Sequence, residues 1–104
     1  NALALKELDL SDTEVTGDIS VFRFCPGLKD LSLLLCKEIT GDIAVFANHK
    51  DLKKAWLSLT QVSGDISVFT NHKGLQEVDL TGCGDITGDK AAIKKQLSKC
   101  HFCI

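Results

Sequence analysis

The chain is predicted to fold as an α/β solenoid: a right-handed coil with parallel strands on its concave face, short helical turns on its convex face and a helix closing its C-terminal end. Two observations carry this prediction. The heptapeptide TGDISVF at 16–22 returns as TGDIAVF at 40–46, as SGDISVF at 63–69 and, altered, as TGDKAAI at 87–93, which sets Gly17, Gly41, Gly64 and Gly88 at intervals of 24, 23 and 24 residues. In step with it, an LxxLxL pattern opens each unit at Leu5, Leu28, Leu52 and Leu75. A unit of this size is one supersecondary element and cannot bury a core alone, so its apolar faces are covered only when units stack.

The elements follow in order along each unit. Alternation of apolar residues at Leu8 and Leu10, Leu31 and Leu33, Ala55 and Leu57, and Val78 and Leu80 has the period of a strand with one buried face. Parallel strands from successive units are expected to pair on one side of the coil. A single apolar residue follows (Val15, Ile39, Val62, Ile86), and then a Gly-Asp pair. The glycine permits a sharp bend, and Asp18, Asp42, Asp65 and Asp89 are expected to cap short helical turns by accepting from the amides that follow. Ile19, Phe22 and their equivalents then point inward. The four aspartates should stack about one strand spacing apart, ~4.8 Å, in a column that capping explains without a cation.

The fourth unit departs from this scheme. In DKAAIKKQLSKC, Ile93, Leu97 and Cys100 recur at helical spacing, Asp89 is the expected N-cap, and the lysines near the end suit the negative end of the helix dipole. The predicted layout is a single domain with repeats at 5–27, 28–51, 52–74 and 75–98 and a C-terminal cap over 89–104. Asn1 aligns with Asn48 and Asn71, so the first complete repeat is expected to lack an N-terminal cap. Its edge would continue a longer array or lie under another protein, because an uncovered solenoid end exposes its core.

The unit resembles the leucine-rich repeat, in particular the plant-type consensus LxxLxLxxNxLxGxIPxxLxxLxx, with LKELDLSDTEVTGDISVF at 5–22 the best match. The resemblance covers residues 5–93 and implies the fold far more strongly than any activity. Where the family has a ladder of asparagines at the strand ends, this chain has Thr13, Cys36, Thr60 and Cys83. The two Cys units carry one extra residue before the glycine, which implies two slightly different turns in alternation.

Composition narrows the functional classes. The 104 residues are 44% apolar with a net charge of −2, as in an ordinary globular domain, and neither sign of charge dominates enough to point to nucleic acid. No apolar run approaches the ~18 residues of a membrane span. Cys36 and Cys83 should stand two strand spacings apart, about 9.6 Å, beyond the reach of a disulfide, and are expected as buried free thiols. Cys25 has no evident partner. Cys100 and Cys103 form a CxxC around His101, but without a second pair this is no zinc site and reads as a chain-end segment. Cysteine usage favours reducing surroundings. His49 and His72, in matching Asn-His-Lys triplets, read as solvated loop residues. No nucleophile stands at a telling spacing from a base, so the chain is read as non-enzymatic and without a cofactor or bound metal.

On a leucine-rich solenoid the residues between the buried leucines project from the concave face. They form three columns: Glu7, Asp30, Lys54 and Glu77; Asp9, Ser32, Trp56 and Asp79; and Ser11, Leu34, Ser58 and Thr81. Trp56 should face outward, with Leu34 and also Leu35 and Leu59 making an apolar island in an acidic surround. Such an island resembles a protein-binding hot spot. The expected function is a protein-binding or scaffold module, either alone in a longer receptor-like chain or as a subunit or fragment of a larger assembly. Its partner-binding set would be Trp56, Leu34, Glu7, Asp9, Asp30, Ser32, Lys54, Ser58, Glu77 and Asp79. The alternative is a structural spacer that binds through its N-terminal edge or its basic C-terminal helix.

Overall fold

In the computed structural model, which describes residues 4–104, each LxxLxL segment forms one short parallel strand. Asn1–Leu3, and with them the alignment of Asn1, lie outside the described residues. The strands β1 (Glu7–Asp9), β3 (Asp30–Ser32), β5 (Lys54–Trp56) and β7 (Glu77–Asp79) pair side by side. Their register runs Leu8, Leu31, Ala55, Val78, which turns one apolar residue of every strand inward and its two neighbours outward. A fifth strand, β9 (His101–Cys103), extends this sheet with Phe102 in line with Val78. The CHFC segment thus contains an ordered strand: Phe102 is buried and takes the apolar position of an LxxLxL pattern too eroded to read in the sequence.

A second parallel sheet joins β2 (Gly17–Asp18), β4 (Ile39–Asp42), β6 (Gln61–Asp65) and β8 (Ile86–Thr87). Three 3₁₀ turns follow at Ile19–Phe24, Ile43–Asn48 and Ile66–Phe69, and the α-helix α1 (Lys90–Gln96) takes the same place in the fourth unit. The core lies between the sheets and these turns. Leu28, Leu33, Ile43, Phe46, Leu52, Leu57, Ile66 and Phe69 are almost wholly buried there. Each such side chain contributes about 1.5–3 kcal/mol. Leu5, Leu8, Leu10 and Val15 of the first unit are only partly buried, because no described repeat covers them.

The Gly-Asp pair performs two tasks at once. Asp18, Asp42 and Asp65 accept from the amides of Ser20, Ala44 and Ser67, each at 2.8 Å, and Asp89 accepts from Ala92 N at 2.9 Å. The hydrogen bonds from the Ser67 amide and hydroxyl hold the Asp65 carboxyl below the usual carboxylate range. The aspartates do not form a simple column, however. The register pairs Asp18 with Thr40, so the carboxylate of one unit lies against the glycine of the next. A Cβ on Gly41 would run into Asp18 Oδ1 and come within 2.9 Å of Ile19 Cγ1. Gly41 also has a φ of 118°, which disfavours an L side chain.

The ladder at the strand ends works in couples. Thr13 Oγ1 and Cys36 Sγ both donate to the Leu10 carbonyl, at 2.7 and 2.9 Å, and Thr60 Oγ1 and Cys83 Sγ share the Leu57 carbonyl at 2.8 and 3.0 Å. Alternating Thr and Cys thus satisfy backbone groups that would otherwise be orphaned. Cys36 is fully buried and Cys83 partly so, and both are free thiols.

His49 and His72 are 1% and 2% exposed, which corrects the reading of them as solvated loop residues. They close the 3₁₀ turns and reach back one repeat: Nε2 of His49 lies 2.9 Å from the Phe22 carbonyl and Nε2 of His72 lies 2.7 Å from the Phe46 carbonyl. Cys25 and Leu97, also buried, fill the same turn-closing place in the first and fourth units. Burial lowers the His72 pKa, against the opposing effect of its bond to Phe46, and the nearby Lys50 and His49 lower it further. His72 Nδ1 is buried without a partner.

The convex side can be tested at a glycine and at a histidine. Gly17 has a φ of 130° but nothing within 4 Å of an added Cβ. Gly17→Ala should therefore cost only backbone strain, about 1–3 kcal/mol, whereas Gly41→Ala should cost more in urea unfolding because Asp18 must also move. A neutral native His72 contributes stability that is complete above the ordinary imidazole value of about 6.5 and is lost as pH falls towards its lower folded value. The thermal midpoint is expected to drop between pH 7 and 5, before the carboxylates titrate. His72→Leu, which copies the Leu97 of the fourth unit, should flatten that drop, and an unchanged profile would show that His72 does not cause it.

Candidate functional site

The concave face is built from the outward residues of the five-stranded sheet. Its register aligns Glu7, Asp30, Lys54, Glu77 and His101 in one column and Asp9, Ser32, Trp56, Asp79 and Cys103 in the next. Both columns have the order expected from the sequence, each lengthened by one residue of β9. A groove of about 400 Å³ opens between Glu7, Asp9, Asp30, Lys54 and Trp56, floored by Leu8, Leu31 and Ser32.

Trp56 is 37% exposed and is held on two sides. Its indole N–H donates to Glu77 Oε2 at 2.7 Å, and Lys54 Nζ stands 5.6 Å from the ring centroid. These two contacts restrain the ring beside the groove, with a cation near its face. Asp9 accepts from the Ser11 amide at 2.9 Å, and Ser11, first through its hydroxyl and then through its amide, holds the Asp9 carboxyl below its usual range. Asp79 accepts from the Thr81 amide at 3.0 Å.

The third column is less available than its sequence position suggests. Ser58 is buried, and so is Ser32 of the second column, whose hydroxyl is 2.5 Å from that of Ser11. Neither serine presents a free side chain to a partner, because each lies low between the taller side chains of neighbouring strands. Leu34 is half-buried. Leu35 and Leu59 do not turn into the core. They adopt φ values of 66° and 60°, the left-handed region that bulky residues avoid, and Leu59 remains 47% exposed.

One exposed group escaped the sequence reading. Phe24 is 57% exposed on the convex side, with the Arg23 guanidinium 4.4 Å above its ring, and the nearby Val21 is also exposed. The signal was present, because Phe24 stands where the later repeats have Asn48 and Asn71. Among the described residues no three His, Cys, Asp or Glu side chains are placed to hold a metal ion, and no helix is long and apolar enough to cross a membrane.

No protein-family model matches the sequence, and no curated protein matches it. Among solved structures, the chain is similar to an internalin (inlF) from Listeria monocytogenes, with a TM-score of 0.73 and 20% identity over 99% of this chain. It is also similar to internalin C2 (inlC2) of the same organism, with a TM-score of 0.66 and 24% identity over 94% of this chain. The fold is a leucine-rich-repeat solenoid. The chain spans 28% and 42% of the lengths of those two proteins. At these identities the likeness carries the architecture of the leucine-rich-repeat solenoid and no more.

The hold of Glu77 on the indole can be measured directly, since Trp56 is the single tryptophan of the chain. Glu77→Ala should loosen the ring and lower its fluorescence anisotropy. An unchanged anisotropy would mean that packing alone fixes it.

Proposed function

We propose that this leucine-rich-repeat chain is a non-enzymatic protein-binding or scaffold module that receives a protein partner on its concave face. The observation that carries the reading is the groove beside Trp56, in which a hydrogen-bonded aromatic ring is set among Glu7, Asp9, Asp30 and Lys54 over the strand floor of Leu8, Leu31 and Ser32. Preorganised aromatic side chains at the side of a partly desolvated groove are typical anchors of protein interfaces. We take the repeats to be of the plant type, on the strength of their TGDISVF segments. Within the partner-binding set, Trp56, Glu7, Asp9, Asp30 and Lys54 form the central group, and Leu34, Glu77 and Asp79 flank it.

A second reading has its own support. Val21 and Phe24, with the half-covered Leu10 and Val15, leave apolar surface at the N-terminal edge, and this edge would suit a structural subunit docked end-on in an assembly. The two readings separate by mutation. Trp56→Ala combined with Leu34→Asp should weaken a partner captured from native extract by at least about 2 kcal/mol, roughly thirtyfold in Kd, while circular dichroism stays unchanged. Phe24→Asp should leave that Kd alone. Loss of binding on Phe24→Asp, with retention in the Trp56 and Leu34 variant, would move the interface to the edge.

A further inference from the structure

The strand β9 brings together two groups that the sequence left in an apparent chain end. His101 and Cys103 are two residues apart on a strand and so face the same way, out of the concave sheet. Cys103 Sγ lies 3.4 Å from His101 Nε2, with His101 exposed and Cys103 partly so. The register sets Glu77 beside His101 and Asp79 beside Cys103.

The remaining cysteines are differently placed. Cys25 and Cys36 are buried. Cys83 donates to the Leu57 carbonyl, and burial pushes its thiol up. Cys100 packs against the core, so the two sulfurs of the CxxC do not share an environment; burial, aided by Glu77, pushes the Cys100 thiol up to about 11. Among the described residues, solvent access and an imidazole within proton-transfer reach coincide at Cys103 alone.

We propose that Cys103 and His101 form a thiol–imidazole pair that makes Cys103 a modification site for small disulfides and other soft electrophiles on the concave face. With the ring proton on Nδ1, His101 Nε2 accepts the Cys103 proton, and the thiolate so formed is the nucleophile. It attacks one sulfur of a disulfide RSSR. The Cys103 Sγ–S bond forms and the S–S bond breaks. The departing thiolate takes the proton from His101 Nε2, so Cys103 is oxidised to a mixed disulfide while one RS group is reduced to the thiol RSH. Glu77 and Asp79 are the carboxylates beside the pair on β7, and one Asp79 oxygen accepts from the Thr81 amide. Cys103 shares its column with Trp56, two strands away, so a group attached there adds bulk on the same face. The chemistry of the pair is independent of whether that face binds a protein.

The test is the reaction of the intact chain with 2,2′-dithiodipyridine, a neutral disulfide whose released thione is followed by absorbance, with the site of attachment read by peptide mass spectrometry. One fast-reacting thiol per chain is expected, located at Cys103 and lost in Cys103→Ser. His101→Gln should slow it about tenfold or more at pH 7 and shift its pH–rate profile to that of an ordinary thiol. Cys100→Ser should leave it unchanged. Fast labelling of any other cysteine, or an unaltered rate and pH profile in His101→Gln, would overturn the assignment.

Discussion

The contact between the capping aspartate of one repeat and the glycine of the next holds the solenoid in step. The Asp18 carboxylate both caps its own 3₁₀ turn and occupies the space that a side chain on Gly41 would need; Asp42 against Gly64 and Asp65 against Gly88 repeat the arrangement. Local capping and packing between repeats are therefore one interaction. A shift in the pairing of the repeats at this point would bring a Cβ against a carboxylate. In a solenoid, where each unit touches only its neighbours, stability is carried by such interfaces and not by any unit alone.

Two further ladders run from this constraint. The Thr–Cys couples satisfy the strand-end carbonyls of Leu10 and Leu57, and the histidines tie each convex turn to the Phe carbonyl of the turn before it. Both need the repeats at one fixed offset. The concave face inherits the order they impose. Because Lys54, Trp56 and Glu77 arrive on adjacent strands in register, a cation and a carboxylate meet the same indole ring and leave an acidic groove beside it. The concave surface varies between the leucines, while the repeated parts of each unit keep the frame.

Most of this frame was legible in the sequence because the repeat multiplies each signal by four. The concave strands, the glycine bends, the aspartate caps and the helix at Lys90–Gln96 follow from residue patterns of local origin, whereas the second sheet of β2, β4, β6 and β8 does not. The first two concave columns were legible for the same reason. What escaped depends on relations between repeats. The offset of two residues between successive Gly-Asp pairs is set by the pairing of Asp18 with Thr40, which no single unit encodes. The burial of His49 and His72 arises because a turn one repeat away supplies the carbonyl that satisfies each ring. The strand His101–Cys103 lacks leucines and becomes visible only when Phe102 docks beside Val78. Ser32 and Ser58 occupy outward positions yet are buried, since small side chains between tall neighbours lose their access.

Native-state hydrogen exchange resolved by residue tests whether the convex stack and the concave strands form one cooperative frame. The amides of Ala44 and Ser67 bond to the capping aspartates, and those of Leu33 and Leu57 bond across the concave sheet to the carbonyls of Trp56 and Asp79. If the Asp–Gly contact sets the register, these four amides open together, with a common free energy and a common response to denaturant. Protection of Leu33 and Leu57 that persists while Ala44 and Ser67 exchange freely would show that the strands keep their order without the turns, and the contact would then be a consequence of the fold and not its constraint.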